Sequence, residues 1–291
     1  MARELQVLID GGYFYEGPRW RDGKWWVSDF YAHRVYSITP DAAATVELEV
    51  PAQPSGLGWL PDGSLLVVSM LDHKVLRRTP DGAVSEYADI TEFCGGHAND
   101  MIVTPDGNAY VGNFGFDLMA LHDPQNSDLV RIAPDRTVSV AAADINFPNG
   151  SVLLSDGVTL VVGETLGARY TAWTIQPDGS LGDRRTWAEL GTPIQADEDG
   201  NVVEFPSVAP DGCAVDNDDR IWMADAVGGR VALVEEGGNI VDEIRAPDGL
   251  GFFACAYGGP SGNSLLLCAA PDFYAEQRRL APEAILFTVE L

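Results

Sequence analysis

The stretch "NGSVLLSDGVTLVVGETLGARYTAWTIQPDG", residues 149–179, contains three short apolar runs separated by turn signals. Asp-Gly and Pro-Asp-Gly supply the positive φ and the fixed φ that tight hairpins need. Short runs of this kind, bounded by such turns, predict consecutive antiparallel strands. The stretch therefore describes one small antiparallel sheet.

The same pattern recurs along the chain. Further copies cover residues 16–41, 55–82, 99–115, 211–238 and, more weakly, 254–270. No helical periodicity of useful length separates them. Short strands with hairpin signals at this spacing predict an all-β, six-bladed β-propeller with four-stranded blades, in a single domain spanning residues 1–291. A pair of β-sandwiches is the alternative, but it explains six similar copies less well.

Both ends of the chain also read as strands. "LQVLID" lies at residues 5–10 and "AILFTVEL" at residues 284–291. We expect the two segments to share one blade, which closes the ring and leaves no open sheet edge.

Composition excludes several classes of partner. The formal net charge is −26, which would repel nucleic acid and anionic membrane surfaces. The sequence contains no run of about 18 apolar residues, so it predicts no membrane-spanning helix. The N-terminus has no apolar segment typical of a secretory signal. The four cysteines are widely spaced, without a CxxC motif. We therefore expect a reduced, cytoplasmic protein.

Polar residues occupy one equivalent position in the repeats. When the copies are aligned on the first inner-strand residue, the turn aspartate follows seven residues later in four of them. The residues at this position, called here the axial column, are Glu16, Ser55, Asn99, Asn149, Asp211 and, approximately, Ala254. The innermost strands of a propeller all run in one direction, so this position should form a ring around the central axis.

Carboxylates and amides in such a ring would be costly if they were dry and unpaired. A hard divalent cation resolves this, because Ca²⁺ accepts carboxylate, amide and water oxygens. Glu16 and Asp211 would neutralise its charge, and Asn149 would add a neutral oxygen. The column has no histidine or cysteine, which argues against a zinc cage of the usual type. Each residue alone could instead mark a turn or a strand end, but their shared position favours the metal.

Four motifs resemble the SMP-30/gluconolactonase/luciferin-regenerating-enzyme (LRE-like) family. They are "EGPRW" at 16–20, "AND" at 98–100, "FPNG" at 147–150 and "PDGCAVDNDDRIWMADA" at 210–226, and they follow the family's order over nearly the whole chain. The resemblance implies a six-bladed propeller that hydrolyses lactones, commonly sugar lactones. It also implies one axial divalent metal, often calcium and sometimes zinc, manganese or magnesium.

The resemblance assigns roles to individual residues. Glu16, Asn149 and Asp211 match the metal ligands, and Asp211 also matches the catalytic acid/base. Asn99 matches a substrate-contacting asparagine. Two substrate positions depart from sugar-lactone members: His97 stands where many carry arginine, and Asp117 stands where some carry glutamate. Both changes argue against a sugar-acid substrate, although each residue could also be an ordinary loop residue.

These features predict a metal-dependent lactonase. The cation would polarise the lactone carbonyl, and Asp211 would move a proton from the attacking water to the leaving alkoxide. The sequence contains no GxSxG motif of the type that carries the nucleophile in serine hydrolases. A calcium-containing propeller that binds ligands without chemistry and a phosphotriesterase-like hydrolase are the alternatives.

Aromatic residues near the strand ends bear on the substrate. If they face the axis rather than the core, they would favour an apolar lactone or ester over a sugar lactone. These residues are Phe14, Tyr15, Phe114, Phe116 and Phe147.

Overall fold

A computed structural model of the chain describes residues 3–120, 122–197 and 202–291. Within these ranges the regular structure is almost entirely short β-strands. In chain order the strands are β1 (Gln6–Gly12), β2 (Tyr15–Arg21), β3 (Lys24–Asp29), β4 (Arg34–Ile38), β5 (Ala44–Glu49), β6 (Pro54–Trp59), β7 (Leu65–Ser69), β8 (Lys74–Arg78), β9 (Val84–Asp89), β10 (Ala98–Val103), β11 (Ala109–Asn113), β12 (Ser127–Ile132), β13 (Val138–Ile145), β14 (Pro148–Leu153), β15 (Thr159–Glu164), β16 (Arg169–Ile175), β17 (Leu181–Glu189), β18 (Gln195–Ala196), β19 (Val202–Glu204), β20 (Pro210–Val215), β21 (Ile221–Asp225), β22 (Arg230–Val234), β23 (Ile240–Arg245), β24 (Gly251–Gly258), β25 (Ser264–Ala270) and β26 (Ala284–Glu290).

The strands form six four-stranded antiparallel sheets, which confirms the predicted six-bladed propeller. Five sheets use four consecutive strands each: β2 to β5, β6 to β9, β10 to β13, β14 to β17 and β20 to β23. The sixth has the order β1-β26-β25-β24, so the N-terminal strand forms its outer edge beside the C-terminal strand. The shared blade is therefore confirmed.

The innermost strands contact one another around the ring. β2 meets β6, followed by β10, β14, β20 and β24, which returns to β2. Glycines permit this close approach where strands from neighbouring blades cross. A Cβ on Gly150 would lie 2.5 Å from the carbonyl oxygen of Asp211, and one on Gly212 would lie 2.4 Å from the Cβ of Ala254.

The hairpin turns are those that the sequence predicted. In the second blade, the side chain of Asp62 accepts a hydrogen bond from the Ser64 amide at 2.9 Å. Gly63 then adopts φ +82°, a left-handed conformation that favours glycine. These turns connect the innermost strand of each blade to the next strand outward.

Apolar side chains pack between the faces of neighbouring blades. Leu66 and Val68 of the second blade share one such cluster with Met101 and Val111 of the third. Cys213, Cys255 and Cys268 are buried, and all four cysteines are free thiols. In the described ranges, no helix is long and apolar enough to cross a bilayer.

Irregular segments occur at a few positions outside the sheets. The short β18–β19 hairpin separates the fourth and fifth blades, which explains the longest spacing between repeats. A 3₁₀ turn lies at Thr91–Phe93, and one short helix, α1 (Ala275–Arg278), lies between β25 and β26. The loops around the hairpin and the helix contribute Phe205 and Phe273 to the cavity described next.

Candidate functional site

A cavity of about 160 Å³ lies where the ends of the innermost strands meet. Four members of the axial column, from four different blades, line it. The lining residues are Phe14, Glu16, Phe30, Tyr31, Asn99, Phe114, Leu118, Met119, Phe147, Asn149, Thr165, Leu166, Phe205, Pro206, Ala209, Asp211, Ala226, Val227, Phe253 and Phe273. The fold thus brings Glu16, Asn99, Asn149 and Asp211 together from distant parts of the sequence.

Each of these four residues is the second residue of an innermost strand. Glu16 follows the first residue of β2, Asn99 that of β10, Asn149 that of β14 and Asp211 that of β20. The sixth blade departs from the alignment. Phe253, not Ala254, lines the cavity there, because the copy in the sixth blade is displaced by one residue.

Irregular strand pairing leaves Asn149 and Asp211 without a partner in the sheet register, whereas Glu16 pairs with Ser28 immediately before a similar irregularity. In β14, Pro148 pairs with Glu164 and the next paired residue is Ser151, which skips Asn149. In β20, the pairing skips in the same way from Pro210 to Cys213, past Asp211. Such bulges redirect side chains and occur frequently beside active sites. Asn149 and Asp211 are each followed by a glycine, Gly150 and Gly212.

The two carboxyl groups repel each other in a poorly solvated site. Burial, followed by the charge of Asp211, raises the pKa of Glu16 well above its usual range. Burial also raises the pKa of Asp211 to about 7, although a hydrogen bond from Asn149 acts in the opposite direction. Glu16, Asn149 and Asp211 line the same cavity, so a charge on one carboxyl group acts in surroundings that all three side chains share.

In the part of the chain that the structure describes, neither Glu16 nor Asp211 forms an ion pair, although the charge of Arg19 acts to lower the pKa of Glu16. Glu16 Oε2 accepts a hydrogen bond from the amide of Gly17, at 3.1 Å. The nearby guanidinium of Arg19 instead contacts Asp100, at 2.7 Å.

Hydrogen bonds fix the orientation of Asn149. Its Nδ2 donates to Oγ1 of Thr165 at 3.1 Å, and Thr165 Oγ1 donates to the carbonyl oxygen of Pro210 at 2.7 Å. The amide nitrogen is therefore committed, which leaves the amide oxygen available to a cation. Thr165 was not predicted from the sequence, since nothing in the repeat pattern distinguishes it.

These donors fit a hard divalent cation. Two carboxylates without a basic partner would balance its charge, and the oxygen of Asn149 would add a neutral ligand. Among the described residues, no group of three or more histidine, cysteine, aspartate or glutamate side chains is arranged to hold a metal ion. A cation held here would therefore depend on the amide as well as on Glu16 and Asp211.

Asn99, His97 and Asp117 occupy different surroundings. Asn99 lines the cavity and accepts a long hydrogen bond from Ser55, at 3.4 Å. His97 lies behind the wall with its ring 5.6 Å from that of Phe114, and burial lowers its pKa. Asp117 is exposed, and its Oδ1 accepts a hydrogen bond from the amide of Ala120 at 3.0 Å. Neither His97 nor Asp117 is among the lining residues, and substrate contact by either stays a prediction.

The cavity wall is mainly aromatic. Of the five aromatic residues whose orientation the sequence left open, Phe14, Phe114 and Phe147 line the cavity, whereas Tyr15 and Phe116 do not. Their neighbours Phe30, Tyr31, Phe205, Phe253 and Phe273 were not predicted, because most of them lie in loops whose paths the repeat does not define.

Relatives of this chain are named as lactonases. Lactonase drp35 of Staphylococcus aureus (strain MW2) is 26% identical over 243 residues, covering 78% of this chain and 68% of that protein. Lactonase drp35 of Staphylococcus epidermidis is 26% identical over 255 residues, covering 82% and 72%.

Solved structures share the fold. A calcium-binding protein, regucalcin, from Agrobacterium tumefaciens has a TM-score of 0.78 at 19% identity, covering 99% of this chain and 94% of that one. A gluconolactonase from Xanthomonas campestris has a TM-score of 0.73 at 22% identity, covering 99% and 90%. The family model described as SMP-30/Gluconolactonase/LRE-like region matches residues 14–271, so the chain belongs to that family.

Proposed function

We propose that this protein is a divalent-metal-dependent lactonase. The observation that carries the proposal is the meeting of Glu16, Asn149 and Asp211 at one cavity that is large enough for a small ligand. Relatives named as lactonases support the same reaction class. Calcium is the favoured metal, because the donors are hard oxygens and a protein of the same fold, regucalcin, is described as calcium-binding.

Glu16, Asn149 and Asp211 would hold the cation. When bound, the cation would polarise the lactone carbonyl and favour negative charge on its oxygen. Burial makes Glu16 and Asp211 difficult to ionise, and a bound cation would stabilise their ionised forms.

Asp211 would also transfer the proton. One of its carboxylate oxygens would accept a proton from the water that attacks the carbonyl carbon. As the bond from that carbon to the ring oxygen breaks, Asp211 would return the proton to the departing alkoxide, which gives the open hydroxy acid. Asn99, on the same cavity surface, would donate a hydrogen bond that orients the substrate.

The test is a metal-titrated hydrolysis screen. Protein treated with chelator would be supplied in turn with calcium, manganese, zinc or magnesium, and acid release would be measured on γ- and δ-lactones and on a phosphotriester. We expect lactone turnover to disappear with the chelator and return with one cation. Asp211→Asn should lower kcat by about 100-fold or more. Asp218→Asn, a solvent-exposed change in the same blade, should leave kcat unchanged.

The outcomes separate the alternatives. Turnover that is indifferent to the chelator, or equal in Asp211→Asn and wild type, would contradict the proposal. Calcium binding without turnover of any ester would instead identify a ligand-binding propeller. A preference for the phosphotriester would identify the other hydrolase class.

A further inference from the structure

Two groups of packed rings form a preformed apolar wall of the cavity. The polar residues Glu16, Asn99, Asn149 and Asp211 line the same cavity and are called here the polar floor. In the first, the ring of Phe14 lies 5.3 Å from that of Phe30 and 5.1 Å from that of Phe253. In the second, Phe114 and Phe147 stack 4.6 Å apart at 19°. Rings held by such contacts present apolar surface to a ligand without having to be ordered first.

Polar groups are few in the cavity. The lining side chains that carry them are Glu16, Tyr31, Asn99, Asn149, Thr165 and Asp211. Thr165 is already hydrogen-bonded to Asn149 and Pro210. Most hydroxyl groups of a sugar lactone would therefore face aromatic rings and lose their bonds to water without replacement.

The charges in the cavity disfavour an acidic substrate. Among the described lining residues there is no lysine, arginine or histidine, whereas Glu16 and Asp211 are both acids. Arg279 lies over the ring of Tyr31, 5.4 Å from its centroid, but is not among the lining residues. A carboxylate on the substrate would have no cationic side chain on the cavity wall to pair with.

The entrance is apolar as well. Phe205 is 72% exposed, Val227 is 55% exposed and Met119 is 37% exposed, and all three line the cavity. Large apolar side chains exposed together often mark a binding surface. A hydrocarbon ligand would keep favourable contacts from the rim to the floor.

From these observations we propose that the substrate is an uncharged, hydrocarbon-rich lactone, either fused to an aromatic ring or bearing an alkyl chain. Its carbonyl would meet the polar floor, and its hydrocarbon part would lie between the two groups of rings. This inference rests on the proposed lactonase function and specifies its substrate class.

The experiment compares dihydrocoumarin, δ-decalactone and glucono-δ-lactone by kcat/KM on the metal-loaded protein. A stable lactam, 3,4-dihydroquinolin-2-one, measures binding by calorimetry independently of chemistry. We expect kcat/KM for the two apolar lactones to exceed that for gluconolactone by about tenfold or more. The lactam should bind the wild-type protein.

Variants of the wall give a second readout. Phe273→Asn should lower kcat/KM for dihydrocoumarin and weaken lactam binding by about tenfold, with less effect on gluconolactone. Val7→Asn replaces an exposed valine on the outer strand β1, far from the axis. It should leave kcat/KM for dihydrocoumarin and the affinity for the lactam unchanged.

Each result has a distinct meaning. A higher kcat/KM for gluconolactone would overturn the inference and leave the proposed function intact. Lactam binding that Phe273→Asn weakens, without hydrolysis of any lactone, would support the apolar ligand class and refute the lactonase. No binding of the lactam and no turnover of the apolar lactones would overturn the inference.

Discussion

Asn149 and Thr165 are joined by a hydrogen bond from the amide nitrogen to the hydroxyl oxygen, at 3.1 Å. The hydroxyl of Thr165 in turn donates a hydrogen bond to the carbonyl oxygen of Pro210, the residue before Asp211. One hydroxyl thus links the strands that carry two of the three proposed metal ligands. It fixes which end of the Asn149 amide is free.

Thr165→Val should weaken calcium binding by about 10- to 100-fold, because outer-shell partners that orient a ligand typically have effects of this size. Calcium affinity measured by isothermal titration calorimetry checks this directly. Thr165→Ser keeps the hydroxyl and should retain most of the affinity. Equal affinities for the valine and serine variants would show that the hydroxyl does not position Asn149.

The raised pKa values of Glu16 and Asp211 predict a pH-dependent response to calcium. The pKa of a carboxyl group is about 4 in the unfolded chain, whereas burial raises the pKa of Asp211 to about 7 and that of Glu16 well above its usual value. The folded, metal-free protein therefore binds these protons more tightly. Ionisation consequently destabilises it as the pH rises from about 4 to about 7.

A bound cation removes this penalty, since it ligates the ionised carboxylates. The increase in Tm on adding calcium should therefore be small at pH 5 and grow steadily toward pH 8. Differential scanning calorimetry at matched ionic strength measures it. In Asp211→Asn the pH dependence should flatten. An increase of the same size at every pH would contradict the assignment of these carboxylates as ligands.

The axial column was largely predictable from the sequence, whereas only part of the surrounding cavity wall was. The constant distance from the column to the turn aspartate aligned Ser55, Asn99, Asn149 and Asp211, because these four copies use hairpins of one length. The first copy is one residue shorter, and Glu16 was aligned as its first residue. The alignment failed in the sixth blade, where the copy is weak and Phe253 takes the cavity position. The pattern of apolar residues locates a strand, but it does not fix the register of that strand to within one residue. The register depends on the neighbouring strands.

Side chains outside the repeat position could not be predicted in this way. Thr165 follows β15, and its role depends on a contact with Pro210, 45 residues later. Phe205 and Phe273 belong to irregular segments whose paths depend on tertiary packing. Such contacts depend on loop conformation, which carries little signal in a single sequence.

Close approach of two blades at Gly150 gives a third prediction. A Cβ there would lie 2.5 Å from the oxygen of Asp211 and 2.6 Å from the amide nitrogen of Cys213. Gly150→Ala would push apart the strands that hold Asn149 and Asp211, and should cost about 3 kcal/mol of stability or more. Urea unfolding followed by tryptophan fluorescence measures this loss.

A matched glycine serves as the control. The Cβ of Gly182→Ala would meet only the flexible side chain of Gln176, at 2.9 Å. Its free energy of unfolding should change by less than about 1 kcal/mol. If the two alanine variants were equally stable, the close approach at Gly150 would not constrain the ring.

The ion pair between Arg19 and Asp100 gives the last prediction. Nη2 of Arg19 lies 2.7 Å from Oδ1 of Asp100, and it also donates to the carbonyl of Met101 at 2.8 Å. The Asp100 side chain is only 5% exposed, whereas that of Arg19 is 23% exposed. Asp100 also stands beside Asn99, at the position where four other blades have glycine. The pair therefore joins the first and third blades near the axis.

Arg19→Met would leave the buried carboxylate of Asp100 without its cation. Breaking a buried pair in this way costs about 3–5 kcal/mol, and the partial exposure of Arg19 places the expected loss near the lower figure. The double variant Arg19→Met/Asp100→Asn should recover much of it, because no uncompensated charge remains. Arg34→Met, which breaks an exposed pair with Glu49, should cost less than about 1 kcal/mol. Equal losses for Arg19→Met and Arg34→Met in urea unfolding would mean that the axial pair is no stronger than a surface one.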